Sequence, residues 1–256
     1  MAWAFESYGV SNTGMVRKVN EDSGLITDSC VAIADGLGGH SSGEVASKIA
    51  IEKVFEANAN GETLKEIAKV INDEFITQTK LNSKISGMGT TLSALQIKDD
   101  SLEMLHIGDS RIYEVKKTSI KQITHDDTVI QELLEQGRLN PDEIPKHPAR
   151  SILTKAILGE DTPVANFLNL KLNKNSLFLL NSDGLNARLS DLDINRLIDR
   201  DDLDKSLKNL AQAVDASGAP DNYTIILARL IQNRNDSKSS KKLQNFLGAA
   251  NKGGSK

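Results

Sequence analysis

The 256-residue chain has a single cysteine, Cys30, so no disulfide can form within it and a cysteine-built zinc site is excluded. Beside an apolar run, Cys30 reads as a small buried hydrophobe. Aromatic residues are only 4% of the sequence, so the core must be largely aliphatic. No apolar stretch approaches the roughly 20 residues that span a bilayer. Residues 1–6 lack a basic segment leading into a long apolar one. Neither a signal peptide nor a membrane span is expected, and the cytoplasm is the expected location. A surplus of positive charge is also missing. The formal net charge is −4, which argues against a dedicated nucleic-acid binder. His40, His106, His125 and His147 show no metal-ligand spacing, and there is no EF-hand loop.

The composition that remains, 39% hydrophobic and 26% charged, is that of a globular protein. Residues 31–34 read as a strand and 45–57 as a helix, with Ser41 or Ser42 as candidate caps. Leu64, Ile67, Ala68, Ile71 and Phe75 mark one face of a helix over 62–80. Runs at 92–97, 102–107 and 112–115 read as a meander, 129–137 as a helix and 177–180 as a strand buried on both faces. A helix over 203–214 and a last strand over 224–230 follow. Residues 233–256 then turn to Asn, Ser, Lys and Gly, with six cations against one aspartate. They read as a basic, disordered tail on an acidic body spanning 1–232.

The stretch Val31-Ala32-Ile33-Ala34-Asp35-Gly36-Leu37-Gly38-Gly39-His40 drives one carboxylate into the end of an apolar run. Such a carboxylate is costly unless compensated. Asp109 follows the 102–107 run, Asp183 follows 177–180, Asp221 precedes 224–230, and Asp22 stands near the first strands. Strand ends share a rim, and carboxylates gathered there repel unless cations lie between them. All-oxygen donors select Mg²⁺ or Mn²⁺ ahead of Ca²⁺. Taken singly each motif is weak, because Asp35-Gly36 and Asp183-Gly184 are also hairpin signals and Asp221-Asn222 an ordinary turn. Gly36–Gly39 misses both the dinucleotide and the P-loop patterns.

As an ordered set the motifs resemble the metal-dependent protein serine/threonine phosphatases (PPM, type 2C), in their bacterial branch. The carriers are Arg17-Lys18-Val19-Asn20-Glu21-Asp22, the Asp35–His40 stretch with Gly43-Glu44-Val45-Ala46-Ser47, and Gly89-Thr90-Thr91. Gly108-Asp109-Ser110-Arg111, Ser182-Asp183-Gly184-Leu185 and Pro220-Asp221-Asn222-Tyr223-Thr224 complete it. The resemblance implies an α+β, four-layer α-β-β-α sandwich of two antiparallel sheets flanked by helices, with a flap at about 124–156. It implies that Asp35 bridges two Mn²⁺ or Mg²⁺ ions, that the Gly36 carbonyl binds one, and that Asp183 and Asp221 hold the other. Glu21 and Asp22 would act mainly through water, and Asp109 with Asp183 would bind a third, weaker ion, with Ser151 of the flap nearby. Arg17 matches the phosphate-binding arginine, and Leu37 stands where eukaryotic relatives carry a histidine proposed as general acid. Asp126-Asp127-Thr128 replaces the family's usual Asp-His-Ser, implying an altered flap surface. The implied activity is hydrolysis of phosphoserine and phosphothreonine in proteins by a metal-activated water, by a monomer, opposing a bacterial Ser/Thr kinase. A catalytically silent binding module and a two-metal phosphodiesterase are the alternatives. The complete carboxylate set speaks against the first, and the acidic body against the second.

Overall fold

A computed structural model describes residues 2–38, 42–233 and 244–251. Among these residues the strands are, in chain order, β1 (Ala2–Asn12), β2 (Asp22–Thr27), β3 (Cys30–Leu37), β4 (Gly89–Thr90), β5 (Leu92–Lys98), β6 (Ser101–Ile107), β7 (Arg111–Val115), β8 (Ile120–Gln122), β9 (Asn166–Lys171), β10 (Leu177–Asn181), β11 (Tyr223–Asn233) and β12 (Gln244–Gly248). The helices are α1 (Ser42–Ala59), α2 (Ile67–Leu81), α3 (Val129–Glu135), α4 (Asp183–Asn186), α5 (Asp191–Leu197) and α6 (Leu203–Ala216).

Period-2 alternation sets the layers. In β3, Val31 and Ile33 face the space between the sheets, while Cys30, Ala32 and Ala34 face α1 and α2. In β11, Ile226, Ala228 and Leu230 point to the same inter-sheet space, and Tyr223, Ile225 and Leu227 meet α5 and α6. One antiparallel sheet runs β1-β11-β10-β7-β8, and the other β12-β2-β3-β5-β6-β9 with β4 paired to β3. Helices cover both outer faces, giving the expected four-layer sandwich with three apolar clusters between layers. The core is aliphatic, as the scarcity of aromatics requires, and Cys30 is fully buried within it.

Two sequence expectations are corrected. The runs at 92–97, 102–107 and 112–115 do not form one meander. β5 and β6 pair, but the Gly108–Ser110 corner carries the chain to the other sheet, where β7 pairs with β10. Asp35-Gly36, which taken alone could also have signalled a hairpin, lies inside β3, opposite Asp22 on β2 and Thr90 on β4 respectively. The reading of 233–256 as a disordered tail fails for residues 244–251, which form β12 and a 3₁₀ turn. Leu247 and Ala249 are buried there, so this polar-looking segment has an apolar anchor that its overall composition masks. Residues 234–243 and 252–256, and His40 with its neighbours Gly39 and Ser41, lie outside the described residues.

Among the described residues no helix is long and apolar enough to cross a membrane. Ile33 is fully buried between the sheets. Ile33→Ala should cost about 2–5 kcal/mol of stability, read as a shifted urea-unfolding midpoint with an unchanged slope.

Candidate functional site

The two sheets meet at a rim, and the sequence-predicted carboxylates converge on it. Asp35 comes from the end of β3, Asp109 from the corner between β6 and β7, Asp183 from the first residue of α4, and Asp221 from the turn before β11. With Arg17, Glu21, Gly36, Leu37, Ser151 and Asn222 they line a pocket of about 280 Å³. Asp22 does not line it. It stands behind, directly opposite Asp35 in the β2–β3 register, and is 1% exposed.

Two aspartates facing each other across adjacent strands repel. Burial, with Asp183 and Asp221 nearby, pushes the Asp22 carboxyl up to about 7. Burial also lifts Asp109 to about 7 and Asp183 to about 6, in each case with repulsion from neighbouring aspartates added. Asp35 is raised well above the usual carboxylate range by burial first and then by Asp22, Asp183 and Asp109. Glu21 is raised by burial as well.

The supporting contacts show which residues hold these groups. Asp22 Oδ2 accepts hydrogen bonds from Ser182 Oγ at 2.6 Å and Thr224 Oγ1 at 2.8 Å. Its Oδ1 is buried with no hydrogen-bond partner. Such an orphaned acceptor is expensive. The Asp35 backbone is fixed by Thr91 Oγ1, which accepts from its N–H, and by Thr90 Oγ1, which donates to its carbonyl. A Cβ on Gly36 would overlap the Gly43 carbonyl, so glycine alone lets α1 approach β3 this closely. Asp127, 3% exposed, accepts from Gly108 N–H at 3.0 Å and pairs with Lys155 at 2.7 Å, which pins the corner that carries Asp109. Asp126 binds Arg111 through both oxygens. Asn222 accepts from Glu21 N–H and donates to the Thr13 and Val19 carbonyls, joining the Arg17 loop to Asp221.

Thr90, Thr91, Ser182, Asn222 and Thr224 stand within the motifs, but the sequence assigns them no roles. Ser182 beside Asp183 and Asn222 beside Asp221 were available signals, whereas Thr90 and Thr91 lie 55 and 56 positions from Asp35. Asp126-Asp127 reads only as a departure on the flap surface, because Lys155 is distant in sequence. Arg17 differs from expectation in one respect: Nη2 donates to Asp221 Oδ2 at 2.7 Å. That hydrogen bond, ahead of the general attraction of Asp221, raises the Arg17 pKa.

Among the described residues no three carboxylate, imidazole or thiol side chains already close around a single point. The donors line a rim rather than a finished cage. The rim nevertheless fits hard cations. Its donors are all oxygen, the carboxylates are mutually repelled and desolvated, and the Asp22 Oδ1 acceptor is unsatisfied.

Comparison with known proteins agrees with this geometry. The sequence profile of the family described as Protein phosphatase 2C matches residues 18–247. The serine/threonine protein phosphatase PstP of Mycobacterium tuberculosis is 33% identical over 228 residues, covering 86% of this chain but only 44% of PstP. The chain thus spans less than half the length of that relative. Protein phosphatase PhpP of Streptococcus pneumoniae is 32% identical over 209 residues, covering 78% of this chain and 85% of PhpP. A crystal structure of PstP superposes with a TM-score of 0.82 at 32% identity, over 90% of this chain and 100% of that one. A second, of the PstP catalytic domain in complex with two manganese ions, gives 0.78 at 31% identity over the same shares.

The raised carboxyls set a pH dependence. From about pH 4, where unfolded aspartates ionise, to about 7, the folded chain binds more protons than the unfolded chain. Stability from these groups is therefore full below pH 4 and lost as pH rises through 7. In metal-free buffer with EDTA, the calorimetric melting temperature should fall between pH 5 and pH 8. Asp109→Asn should flatten that slope.

Proposed function

The chain belongs to the protein phosphatase 2C family, and from that membership we propose that it is a metal-dependent protein serine/threonine phosphatase. Its substrates are phosphoserine and phosphothreonine in proteins. The observation that carries this reading is the placement of one guanidinium, Arg17, in the same pocket as Asp35, Asp109, Asp183 and Asp221. A carboxylate rim alone would repel a phosphate dianion. Cations between the carboxylates and a guanidinium at the edge turn it into an anion site.

Asp35 and the Gly36 carbonyl, with Asp183 and Asp221, would hold two ions, Mn²⁺ or Mg²⁺. Asp22 and Glu21 would act through water, and Asp109 with Asp183 would hold a third ion beside Ser151. When bound, these cations supply Lewis-acid activation of the water that attacks phosphorus. Arg17 binds phosphoryl oxygens with the N–H groups not given to Asp221, and so orients the ester for in-line displacement. Leu37 lines the pocket and offers no proton. Among the described lining residues there is no cysteine or histidine, so the described pocket supplies neither a nucleophile nor a general acid of those kinds.

Access favours a polypeptide. A groove of about 760 Å³ shares Asp109, Ser151 and Asp183 with the pocket, and continues between Ile130 and Leu134 of α3 and Arg188 after α4. We read this groove as the path of an extended chain that places a phosphorylated side chain in the pocket. We place the enzyme in the cytoplasm as a monomer, with a Ser/Thr kinase and its targets as the pathway it opposes.

Incubated with phosphothreonine peptides, the protein should release phosphate only when Mn²⁺ or Mg²⁺ is supplied. EDTA should abolish release, and phosphodiesters should be poor substrates. Asp35→Asn and Asp183→Asn should each lower kcat/KM on the order of 10²-fold or more, and Arg17→Gln should lower it by about 10²-fold. Full activity in either aspartate variant, or none in the wild type with metal, would sink the reading.

A further inference from the structure

The segment that composition assigned to a tail reaches the metal rim. β12 runs antiparallel to β2 and is its outer neighbour, with Phe246 opposite Leu25, Leu247 opposite Gly24 and Gly248 opposite Ser23. Its C-terminal end therefore arrives beside Asp22, the first residue of β2.

The fit there is close and specific. Leu247 is 8% exposed and enters the core between the sheets. A Cβ on Gly9 of β1 would come within 2.7 Å of Leu247 Cδ1, and one on Gly24 within 3.3 Å of its Cβ. Two glycines on two different strands thus leave the volume that Leu247 fills. Phe246 meets Phe55 of α1 edge to face, with ring centroids 5.4 Å apart. Gly248 has φ +64, and a Cβ there would overlap the Asp22 carbonyl and lie 2.6 Å from Ser11 Oγ.

Ser11 is not an idle neighbour. Its hydroxyl shares a 2.7 Å hydrogen bond with Thr224 Oγ1 and accepts one from Asn20 Nδ2 at 2.9 Å. Thr224 Oγ1 in turn donates to Asp22 Oδ2, and Asn20 Oδ1 accepts from Asp22 N–H. Gly248 therefore abuts both the backbone of Asp22 and the hydroxyl chain that aims its carboxylate.

We propose that β12 is a positioning element of the metal centre. Its last residue, Gly248, fixes Asp22 from the side opposite Asp35, so that metal affinity depends on the docking of the C-terminal segment. This rests on the phosphatase reading, in which Asp22 serves the metal ions. Groups that orient the residues around a metal change its affinity by about 10–100-fold when they are lost. The strand's contribution is to the geometry of Asp22 rather than to the chemistry. Turnover at saturating metal is then largely retained when the strand is perturbed.

The test uses the full chain and Mn²⁺ itself. Gly248→Ala and the milder Leu247→Ala are compared with wild type by calorimetric Mn²⁺ titration and by thermal unfolding in EDTA. Both variants should bind Mn²⁺ about tenfold more weakly, and saturating Mn²⁺ should restore most of kcat. In an Asp22→Asn background neither substitution should weaken Mn²⁺ binding further, because the group it positions is gone. A lower melting temperature with Mn²⁺ affinity within twofold of wild type would make β12 a purely structural strand and overturn the proposal. So would losses that simply add to that of Asp22→Asn. If the wild type binds no Mn²⁺, the metal-centre reading falls, and this inference falls with it. If the wild type binds and the variants bind equally well, only the inference falls.

Discussion

The constraint on which the rest of this structure depends is the burial of like charges at one rim. Asp22 and Asp35 are directly opposed on neighbouring strands, and Asp109, Asp183 and Asp221 arrive from three further places in the fold. No local gain explains this. Desolvation and mutual repulsion both raise Asp22, Asp35, Asp109 and Asp183, so the protein alone is stabler with protons on them. A fold selected for stability alone would put apolar side chains at these positions. Under the proposed function divalent cations would reverse the balance, because they need the concentrated oxygen donors that otherwise repel one another.

Holding such a site open requires rigid support, and the supporting residues are as specific as the carboxylates. Asp22 Oδ2 is clamped by hydroxyls from two strand ends, which leaves only Oδ1 uncommitted. The Asp35 backbone is bonded on both sides by Thr90 and Thr91. Asp109 sits on a corner that Asp127 and Lys155 tie down. Asp221 is held at both oxygens, by Arg17 Nη2 and by the Asn222 N–H. Neutral or cationic neighbours thus fix the backbone or carboxylate of several of these aspartates. Both sheets contribute to this arrangement, so the sandwich serves as the frame that brings five separated segments within reach of one another.

Much of this was legible in the sequence, for a physical reason. Val31, Ile33, Ile226 and Leu230 lie in near-continuous apolar runs, as strands covered on both faces require, and the aspartates interrupt those runs at their ends. A carboxylate that interrupts an apolar run is visible without a structure. What stayed hidden depends on partners distant along the chain. The change of sheet at Gly108–Ser110 cannot be told from a hairpin by local pattern, because both need a turn between apolar runs. Lys155 reaches Asp127 across 28 positions. β1 has only Phe5 fully buried, so its alternation is faint. β12 is short and lies in a segment whose average composition is polar. Leu247 matters because Gly9 and Gly24 leave room for it, a complementarity that no window of sequence contains.

The pairing of Arg17 with Asp221 gives the site its internal logic. The guanidinium is half exposed and the carboxylate about a third exposed, so the ion pair is screened and modest in strength. A strong, dry ion pair would lock Arg17 away from a phosphate. A weak one leaves it near the pocket with most of its donors unspent. Under the proposed function Asp221 would be shared between a cation and Arg17. A phosphate entering the pocket can draw on the same guanidinium. Asn222, bonded to Glu21 and to the loop that carries Arg17, keeps these groups in register. Under the proposed function, phosphate recognition by Arg17 and metal holding by the carboxylates would be parts of one electrostatic arrangement, linked where Arg17 meets Asp221.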